Sequence, residues 1–147
     1  MDTVLEKYIK AGNPDTSAEE LMLLASDDID HVRRRVGENP RTPIEVLARL
    51  SEDGNAEVRI AVGENPTTPP EVLAKLVADH HPDVRYSLAE NPHVPITFLH
   101  QLAEDDNPYV SHRAQRTLRL LQPSGVTELK PRETRADTYM RWDFRLR

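Results

Sequence analysis

The chain has 147 residues, with 19 Lys and Arg, 25 Asp and Glu, 12 prolines, 5 glycines and no cysteine. This length is typical of one domain, and the lack of cysteine excludes disulfides, thiolate metal sites and cysteine nucleophiles. No apolar run approaches the roughly 20 residues of a membrane span, and the first residues lack the basic-then-apolar order of a secretory signal. We therefore expect a cytoplasmic protein with no membrane partner, and the net charge of −6 disfavours general nucleic-acid binding.

The first twelve residues form an amphipathic segment before any repeated pattern begins. Its apolar side chains are Val4, Leu5, Tyr8 and Ile9, and this spacing is typical of one face of a helix. We expect residues 1–12 to cap the N-terminal end of the repeated region, since the end units of repeat proteins differ from the inner ones.

A repeat of 26 residues begins after this segment. The dipeptide Asn-Pro begins at residues 13, 39, 65 and 91, and each step along the chain is 26 residues. Self-similarity at a fixed period of about 20 to 50 residues indicates a repeat architecture. The period predicts four units, which are residues 13–38, 39–64, 65–90 and 91–116.

Four apolar positions recur in every unit and make up the predicted core. Two of them are three residues apart and the other two are four apart, so each pair lies on one face of a helix. The sixteen side chains are Leu21, Leu47, Leu73 and Leu99; Leu24, Leu50, Leu76 and Leu102; Val32, Val58, Val84 and Val110; and Val36, Val62, Leu88 and Ala114.

Each unit is predicted to contain two short helices. Residues 42–45 (Thr-Pro-Ile-Glu) and 68–71 (Thr-Pro-Pro-Glu) predict Thr at the N-cap, Pro at the first helical position and Glu in a capping box, and residues 16–19 (Thr-Ser-Ala-Glu) lack only the proline. We expect about eight to ten residues in the first helix. The second should stop before the next Asn-Pro, because a residue that precedes proline is disfavoured in helical geometry. Since two short helices cannot bury their own apolar faces, the units should stack into an all-α solenoid.

In the last unit the apolar pattern continues beyond residue 116. Val110, Ala114, Leu118 and Leu121 keep one face apolar, which predicts a longer final helix from Tyr109 to about Leu121. We interpret this extension as a C-terminal cap, so the predicted helical-repeat domain spans residues 1–122.

The pattern Asn-Pro-x-Thr-Pro-x-Glu-Val-Leu-x-x-Leu, followed after a polar gap by Val-Arg-x-x-Val, resembles that of the leucine-rich repeat variant family. The resemblance covers residues 13 to about 116 and is closest at residues 39–47 and 65–73; the outer units differ by Ser17, Val94 and Ser111. It implies alternating α and 3₁₀ helices wound into a right-handed superhelix. Some relatives carry a cysteine-rich iron–sulfur domain, and a chain without cysteine has no such cofactor. Repeats of the HEAT type are the nearest alternative, but their units are longer, at about 40 residues.

Charged residues also recur at the 26-residue period. They are Asp27, Asp53, Asp79 and Asp105; Arg33, Arg59 and Arg85; and Glu38, Glu64 and Glu90. The simplest interpretation is structural, because such positions provide hydrogen bonds and charge pairs between units. The alternative is a surface that binds nucleic acid or another acidic ligand through Arg33, Arg34, Arg59 and Arg85. Against it stand the serine at position 111 and the acidic balance of residues 1–122, with 13 basic and 21 acidic side chains.

No motif for catalysis or metal binding is evident in the sequence. The six histidines, at residues 31, 80, 81, 93, 100 and 112, lack the spacing of metal ligands on a helix. No Gly-rich phosphate loop or nucleophile motif occurs either. We therefore predict a protein that is not an enzyme and that carries no metal or other cofactor.

Residues 123–147 form a tail of different composition. Pro123-Ser124-Gly125 marks its start, and it has six basic and four acidic side chains. Its end alternates apolar and charged residues, which predicts a strand over residues 139–147. Because helical units offer no sheet, we predict that the tail binds a partner or pairs with a second copy, through Tyr139, Met140, Arg141, Trp142, Phe144, Arg145 and Leu146. The alternatives are a lid over the last unit and a disordered terminus.

These features predict a non-enzymatic protein-interaction module whose partner is another protein or a second copy of the chain. Binding of nucleic acid or an acidic ligand along the arginine positions is the alternative function.

Overall fold

The computed structural model describes residues 1–122. Within this range the chain is all α-helical and contains no strand, as the sequence predicts. The nine helices of the range are α1 (Val4–Gly12), α2 (Ala18–Leu24), α3 (Asp30–Glu38), α4 (Ile44–Leu50), α5 (Ala56–Glu64), α6 (Pro70–Val77), α7 (Pro82–Glu90), α8 (Ile96–Ala103) and α9 (Pro108–Leu121). In this part of the chain no helix is both long and apolar enough to cross a membrane.

The helices match the 26-residue period closely. The shorter helices α2, α4, α6 and α8 begin at residues 18, 44, 70 and 96, and α3, α5, α7 and α9 begin at residues 30, 56, 82 and 108. The first helix, α1, begins at residue 4, which is 26 residues before the start of α3. The N-terminal segment therefore occupies the position of a second helix in the repeat, although its side chains differ.

The helices pack in two groups. Helices α1, α3, α5, α7 and α9 lie side by side, each in contact with the next, and form what we call the second-helix layer. Helices α2, α4, α6 and α8 each pack against the next helix in the chain, which is a member of this layer. Each unit thus completes its neighbour's core, which is how helical repeats bury apolar surface.

The core lies between the two groups of helices, and the sixteen predicted core residues are all buried. None of them is more than 8% exposed, and Leu21, Leu47 and Leu99 are completely buried. The prediction succeeded because a spacing of three or four residues fixes which side of a helix a residue lies on.

The Asn-Pro dipeptides end helices of the second-helix layer, as predicted. Asn39 and Asn65 are the C-cap residues of α3 and α5. Their side chains have a further role that the sequence analysis did not identify. Nδ2 of Asn65 donates hydrogen bonds to the carbonyl oxygens of Gly37 at 2.7 Å and Asn39 at 2.9 Å, and Asn39 makes the equivalent pair of bonds one unit earlier. These bonds join the second unit and the third unit to the chain one repeat earlier.

The predicted threonine caps of the shorter helices are wrong. Helix α4 has Pro43 as its N-cap residue, and no side chain caps it, so no capping box forms with Glu45. The hydroxyl of Thr42 donates instead to the carbonyl oxygen of Val36 at the end of α3, at 2.6 Å. Thr42 thus supplies a donor to one of the last carbonyls of the preceding helix, which have no partner within that helix. The same arrangement recurs with Pro69 as the N-cap residue of α6 and Thr68 bonded to Val62.

Side chains do cap the first two helices. Ser17, rather than the predicted Thr16, is the N-cap residue of α2, and its hydroxyl accepts a hydrogen bond from the backbone N–H of Glu20. A complete capping box occurs at the start of α1, between Thr3 and Glu6. A capping box supplies partners to N–H groups that lack them in the first turn of a helix.

The 3₁₀ helices implied by the family resemblance are not found in the described range, where both helices of each unit are α-helical. Helix α4 shows why, because the N–H of Ser51 bonds to the carbonyl of Leu47, four residues back, at 2.9 Å. The shorter helices have seven or eight residues, at or just below the lower end of the predicted length.

The last helix, α9, runs to Leu121, as predicted. Thr117 and Leu118 stand where the next Asn-Pro would fall, so nothing ends the helix at residue 116. The hydroxyl of Thr117 donates to the carbonyl of Ala89 at 2.7 Å, which replaces the bond that the asparagines make in earlier units. The strand predicted over residues 139–147 lies outside the described residues.

Candidate functional site

The recurring Arg and Asp residues pair with one another across neighbouring units. Nε of Arg59 donates to Oδ2 of Asp79 at 2.7 Å, and Nη2 donates to Oδ1 at 3.0 Å. The same two-pronged geometry joins the other members, Arg33 with Asp53 and Arg85 with Asp105. We call this series the Arg–Asp ladder. Its members were predicted to be structural, and these contacts confirm that role.

Each arginine of the ladder also reaches back within its own unit. Nη1 of Arg59 donates to the carbonyl oxygen of Asp53 at 2.8 Å, and Nη1 of Arg85 donates to that of Asp79 at 2.7 Å. One guanidinium therefore ties the polar turn of its own unit to the polar turn of the next. Planar guanidinium groups suit such a task, because their donors diverge in fixed directions.

The carboxylates of the ladder stay ionised because of their hydrogen bonds. Burial pushes the pKa of Asp79 upward, but the guanidinium of Arg59 and the backbone N–H of His81 outweigh it, so the pKa lies below its ordinary value. The pKa values of Asp53 and Asp105 are lowered in the same way, by Arg33 and Arg85 respectively. Hydrogen bonds to the charged form of an acid favour that form.

The ladder has one more member, Lys7, which the sequence analysis missed. Nζ of Lys7 lies 2.6 Å from Oδ2 of Asp27. Lys7 precedes Arg33 by 26 residues, so the period itself could have identified it. Two features hide it: lysine stands in place of arginine, and no Asn-Pro dipeptide precedes the N-terminal segment. At the other end Ser111 replaces the arginine, and its hydroxyl donates to the carbonyl of Ala103.

The ladder arginines offer little charge to a ligand. The side chain of Arg59 is 5% exposed, and those of Arg33 and Arg85 are 19% and 18% exposed. Arg34, the fourth residue predicted for an arginine surface, lies on the more exposed side of α3 and pairs with Glu38 at 3.0 Å. The four predicted residues therefore do not lie together as one open basic surface, and three of them are committed to internal bonds.

Glutamates recur on the exposed side of the second-helix layer. We call Glu38, Glu64 and Glu90 the glutamate row. Desolvation raises the pKa of Glu64, and the negative charge of Glu90 raises it further. The positive charge of Arg34 lowers it, and Glu38 and Glu57 raise it by smaller amounts. Around Glu64 the neighbouring carboxylates therefore outweigh the charge of Arg34.

Two tyrosines lie near the C-terminal end of the same layer. Tyr86 of α7 is 37% exposed and Tyr109 of α9 is 77% exposed. They line an open groove of about 550 Å³, which we call the aromatic–basic groove; its lining residues are Tyr86, Pro108, Tyr109, His112, Arg113 and Arg116. A neighbouring depression of about 310 Å³ is also lined by Tyr86 and Tyr109. Apolar walls with a few polar groups are typical of binding sites.

The cations of this groove are only partly neutralised. Arg113 lies 3.6 Å from Glu90, and its side chain is 27% exposed. Arg116 is exposed and forms no ion pair with any residue of the described range. Helix α9 contains three arginines and no carboxylate, in a range of the chain that is otherwise acidic.

A change of residue type at recurring positions of the repeat could have indicated this part of the chain. Positions 38, 64 and 90 hold glutamate, whereas position 116, the next in the series, holds arginine. Similarly, Tyr109 comes next in the series after Glu57 and Asp83. The exposed positions of the repeat therefore change type at its C-terminal end, where the groove lies.

The sequence shows no catalytic motif, and the described residues contain no group of three or more His, Asp or Glu side chains that could hold a metal ion. His80 and His81 lie in the turn before α7, where the imidazole of His81 accepts a hydrogen bond from the backbone N–H of Asp83. The predicted absence of catalysis and cofactors stays a prediction. The predicted tail site, Tyr139, Met140, Arg141, Trp142, Phe144, Arg145 and Leu146, lies outside the described residues.

Comparison with known proteins gives one result. The family model described as leucine rich repeat variant matches residues 56–81, a stretch of 26 residues that begins with α5 and ends just before α7. No curated protein matches the chain, and no solved structure matches it either. Over residues 56–81 the match confirms the resemblance that the repeated motif indicated, to a family of helical repeats.

Proposed function

We propose that the chain is a non-enzymatic, cytoplasmic protein-interaction module, in which residues 13–116 form four repeats of a right-handed solenoid. The family match supports this proposal, since helical repeats suit extended contacts with other proteins. The module would present the exposed side of its second-helix layer to a partner protein.

The observation that carries the proposal is the exposure of Tyr86 and Tyr109. The recurring polar side chains of the ladder are used within the chain, and the recurring apolar side chains are buried in the core. The two tyrosines serve neither purpose and line an open groove instead. Tyrosine and arginine are the residue types that most often dominate the energy of protein interfaces.

Selection from a random peptide library displayed on phage tests the proposal with the full chain as the target. We expect enriched peptides that bind the wild type and lose most of their affinity when Tyr109 is replaced by alanine. Tyr109→Ala should not disturb the fold, because the side chain is 77% exposed.

Ile44→Ala is the matched control, because Ile44 is an exposed apolar residue of α4, outside the second-helix layer. Its replacement should leave peptide binding unchanged. Failure to enrich any peptide, or enriched peptides that bind Tyr109→Ala and the wild type equally, would contradict the proposed function.

A further inference from the structure

We propose that the aromatic–basic groove binds an acidic segment of a partner protein, with an apolar or aromatic residue between its carboxylates. This inference rests on the proposed function and specifies the chemistry of the partner. It is carried by the groove lining, by the charge of α9 and by the break in the repeat at residue 116.

The shape of the groove fits an extended peptide. Tyr86 and Tyr109 line both the groove of about 550 Å³ and the neighbouring depression of about 310 Å³. The two hollows therefore adjoin one another across the tyrosine rings. An apolar or aromatic side chain can pack against these rings, which give a large contact area at a small cost in side-chain entropy.

The two arginines of the groove favour a carboxylate beside α9, whereas Asp83 lines the neighbouring depression. Arg113 and Arg116 both line the groove, and the only carboxylate of the described range that pairs with either is Glu90, 3.6 Å from Arg113. Hydrogen bonds between a guanidinium and a carboxylate are among the stronger ones, and they can form in pairs. An acidic peptide would supply the partner that Arg116 lacks within residues 1–122.

The change of charge along the layer falls at the groove. Glu38, Glu64 and Glu90 occupy one position of the period, and Arg116 occupies the next. The row of glutamates therefore ends where the groove lies, and Arg116 leaves this end of the layer basic. The reversal coincides with the groove and with α9, which has no acidic residue.

A short acidic peptide suits the site better than a nucleic acid does. The glutamate row lies on the same layer, with Glu90 next to Arg113. A polyanion that continued past the groove along the layer would meet Glu90 and then Glu64, whose pKa is raised by burial and by Glu90. Nucleic-acid binding normally needs phosphate contacts along a basic stripe, which the internal pairing of the ladder arginines does not provide.

Fluorescence anisotropy with the full chain tests the inference. The acidic probe is a labelled peptide of sequence Gly-Asp-Glu-Tyr-Asp-Glu-Gly, and the matched probe has Asn and Gln in place of Asp and Glu. We expect the acidic probe to bind at least about tenfold more tightly than the matched probe, and its affinity to fall with added salt.

Substitutions locate the binding site. Arg116→Glu should weaken binding of the acidic probe by at least about tenfold, because it replaces attraction with repulsion. Arg49→Glu is the matched control, since Arg49 is an exposed arginine of α4, outside the second-helix layer. It should change the affinity by less than about twofold. Circular dichroism should show the same helical content in both variants.

Three results would overturn the inference: equal binding of the two probes, equal effects of Arg116→Glu and Arg49→Glu, or tighter binding of a single-stranded oligonucleotide of the same charge. The last result would assign the groove to nucleic acid. If library selection yields peptides that depend on Tyr109 but are not acidic, the proposed function stands and this inference fails. If no peptide is enriched at all, the proposed function itself fails.

Discussion

Arg59 and Asp79 form a nearly dry ion pair that joins two consecutive units of the fold. Their side chains are 5% and 7% exposed, and two hydrogen bonds of 2.7 and 3.0 Å connect them. The corresponding arginines on either side, Arg33 and Arg85, are 19% and 18% exposed. The middle pair of the ladder is therefore the one least accessible to water.

Arg59→Ala should destabilise the protein by about 3 kcal/mol, because it leaves the buried carboxylate of Asp79 without its partner. Arg33→Ala should cost less, since the side chain of Arg33 is 19% exposed and that of Arg59 only 5%. Lys75→Ala is the control, because Lys75 pairs with Glu52 at 2.7 Å on a surface where both side chains are more than half exposed; its cost should be below about 1 kcal/mol. Urea unfolding followed by circular dichroism measures all three. Equal losses for Arg59→Ala and Lys75→Ala would show that burial of the pair has no energetic consequence.

The ladder also predicts how stability depends on pH. The pKa values of Asp53, Asp79 and Asp105 are lower in the folded chain than their ordinary value of 3.8. Protons therefore bind the unfolded chain more readily than the folded chain. The carboxylates stabilise the fold above about pH 4, and this stabilisation is lost as the pH falls below 3.8 through the pKa values of the folded chain.

Thermal unfolding between pH 2 and pH 6 tests this dependence, where about pH 2 is low enough to protonate most carboxylates. Asp79→Asn should lower the melting temperature near pH 6 and flatten its decline below pH 4, because one titrating group has been removed. Asp15→Asn, at an exposed turn position, is the control and should keep the wild-type profile. A steep wild-type decline that persists unchanged in Asp79→Asn would contradict the assignment.

The buried asparagines give a second test of how units are joined. Asn65→Ala removes two donated hydrogen bonds, to Gly37 and Asn39, and leaves both buried carbonyls without that partner. We expect a loss of about 2 to 3 kcal/mol. Asn13 begins the first Asn-Pro dipeptide but is exposed, and its side chain accepts only from the N–H of Asp15. Asn13→Ala should therefore cost less than about 1 kcal/mol, and an equal cost for both variants would deny the role assigned to Asn65.

The core could be predicted because the period records which positions must be apolar in every unit. The partners of the ladder could not, because a period shows that Arg59 and Asp79 recur but not that they touch. Arg59 lies six residues from Asp53 and twenty from Asp79, and it bonds to both. Only the packing of one unit on the next shows that Arg59 reaches the carboxylate of Asp79 as well as the backbone carbonyl of Asp53.

The predicted N-caps of α4 and α6 are wrong for a local reason, since a Thr-Pro dipeptide allows two arrangements. In one the threonine caps the next helix, and in the other its hydroxyl serves the preceding helix. Thr42 takes the second, because α3 ends with carbonyls that need donors and Val36 lies within reach.

The aromatic–basic groove could not be predicted from the sequence. A break in a repeat does not locate a groove until the exposed side of each helix is known.

Glu64 offers a prediction of the opposite sign to the ladder. Its pKa is raised by burial first and by Glu90 second, so its negative charge opposes folding above its ordinary pKa of 4.5. Glu64→Gln should raise the melting temperature slightly near pH 7, by an amount worth less than about 1 kcal/mol because solvent screens the exposed side chain. The gain should disappear near pH 4, where the wild-type glutamate is largely protonated.

Glu45→Gln provides the comparison for Glu64. Glu45 lies in the first turn of α4, where a negative charge interacts favourably with the helix dipole. Its replacement should leave the melting temperature unchanged or lower it slightly. If Glu64→Gln behaves in the same way as Glu45→Gln at pH 7, the glutamate row does not repel itself to a measurable extent.

The tail can be tested without knowing its partner. Trp142 and Phe144 are the largest apolar side chains of its alternating end, and we predict that they act in self-association. Light scattering after gel filtration should give a mass above that of a monomer for the wild type and a monomer mass for Trp142→Ala/Phe144→Ala, with no change in melting temperature. Val126→Ala, near the start of the tail, should behave as the wild type does. A lower melting temperature at unchanged mass would instead favour a lid on the helical units. Unchanged mass together with unchanged melting temperature would contradict both self-association and the lid.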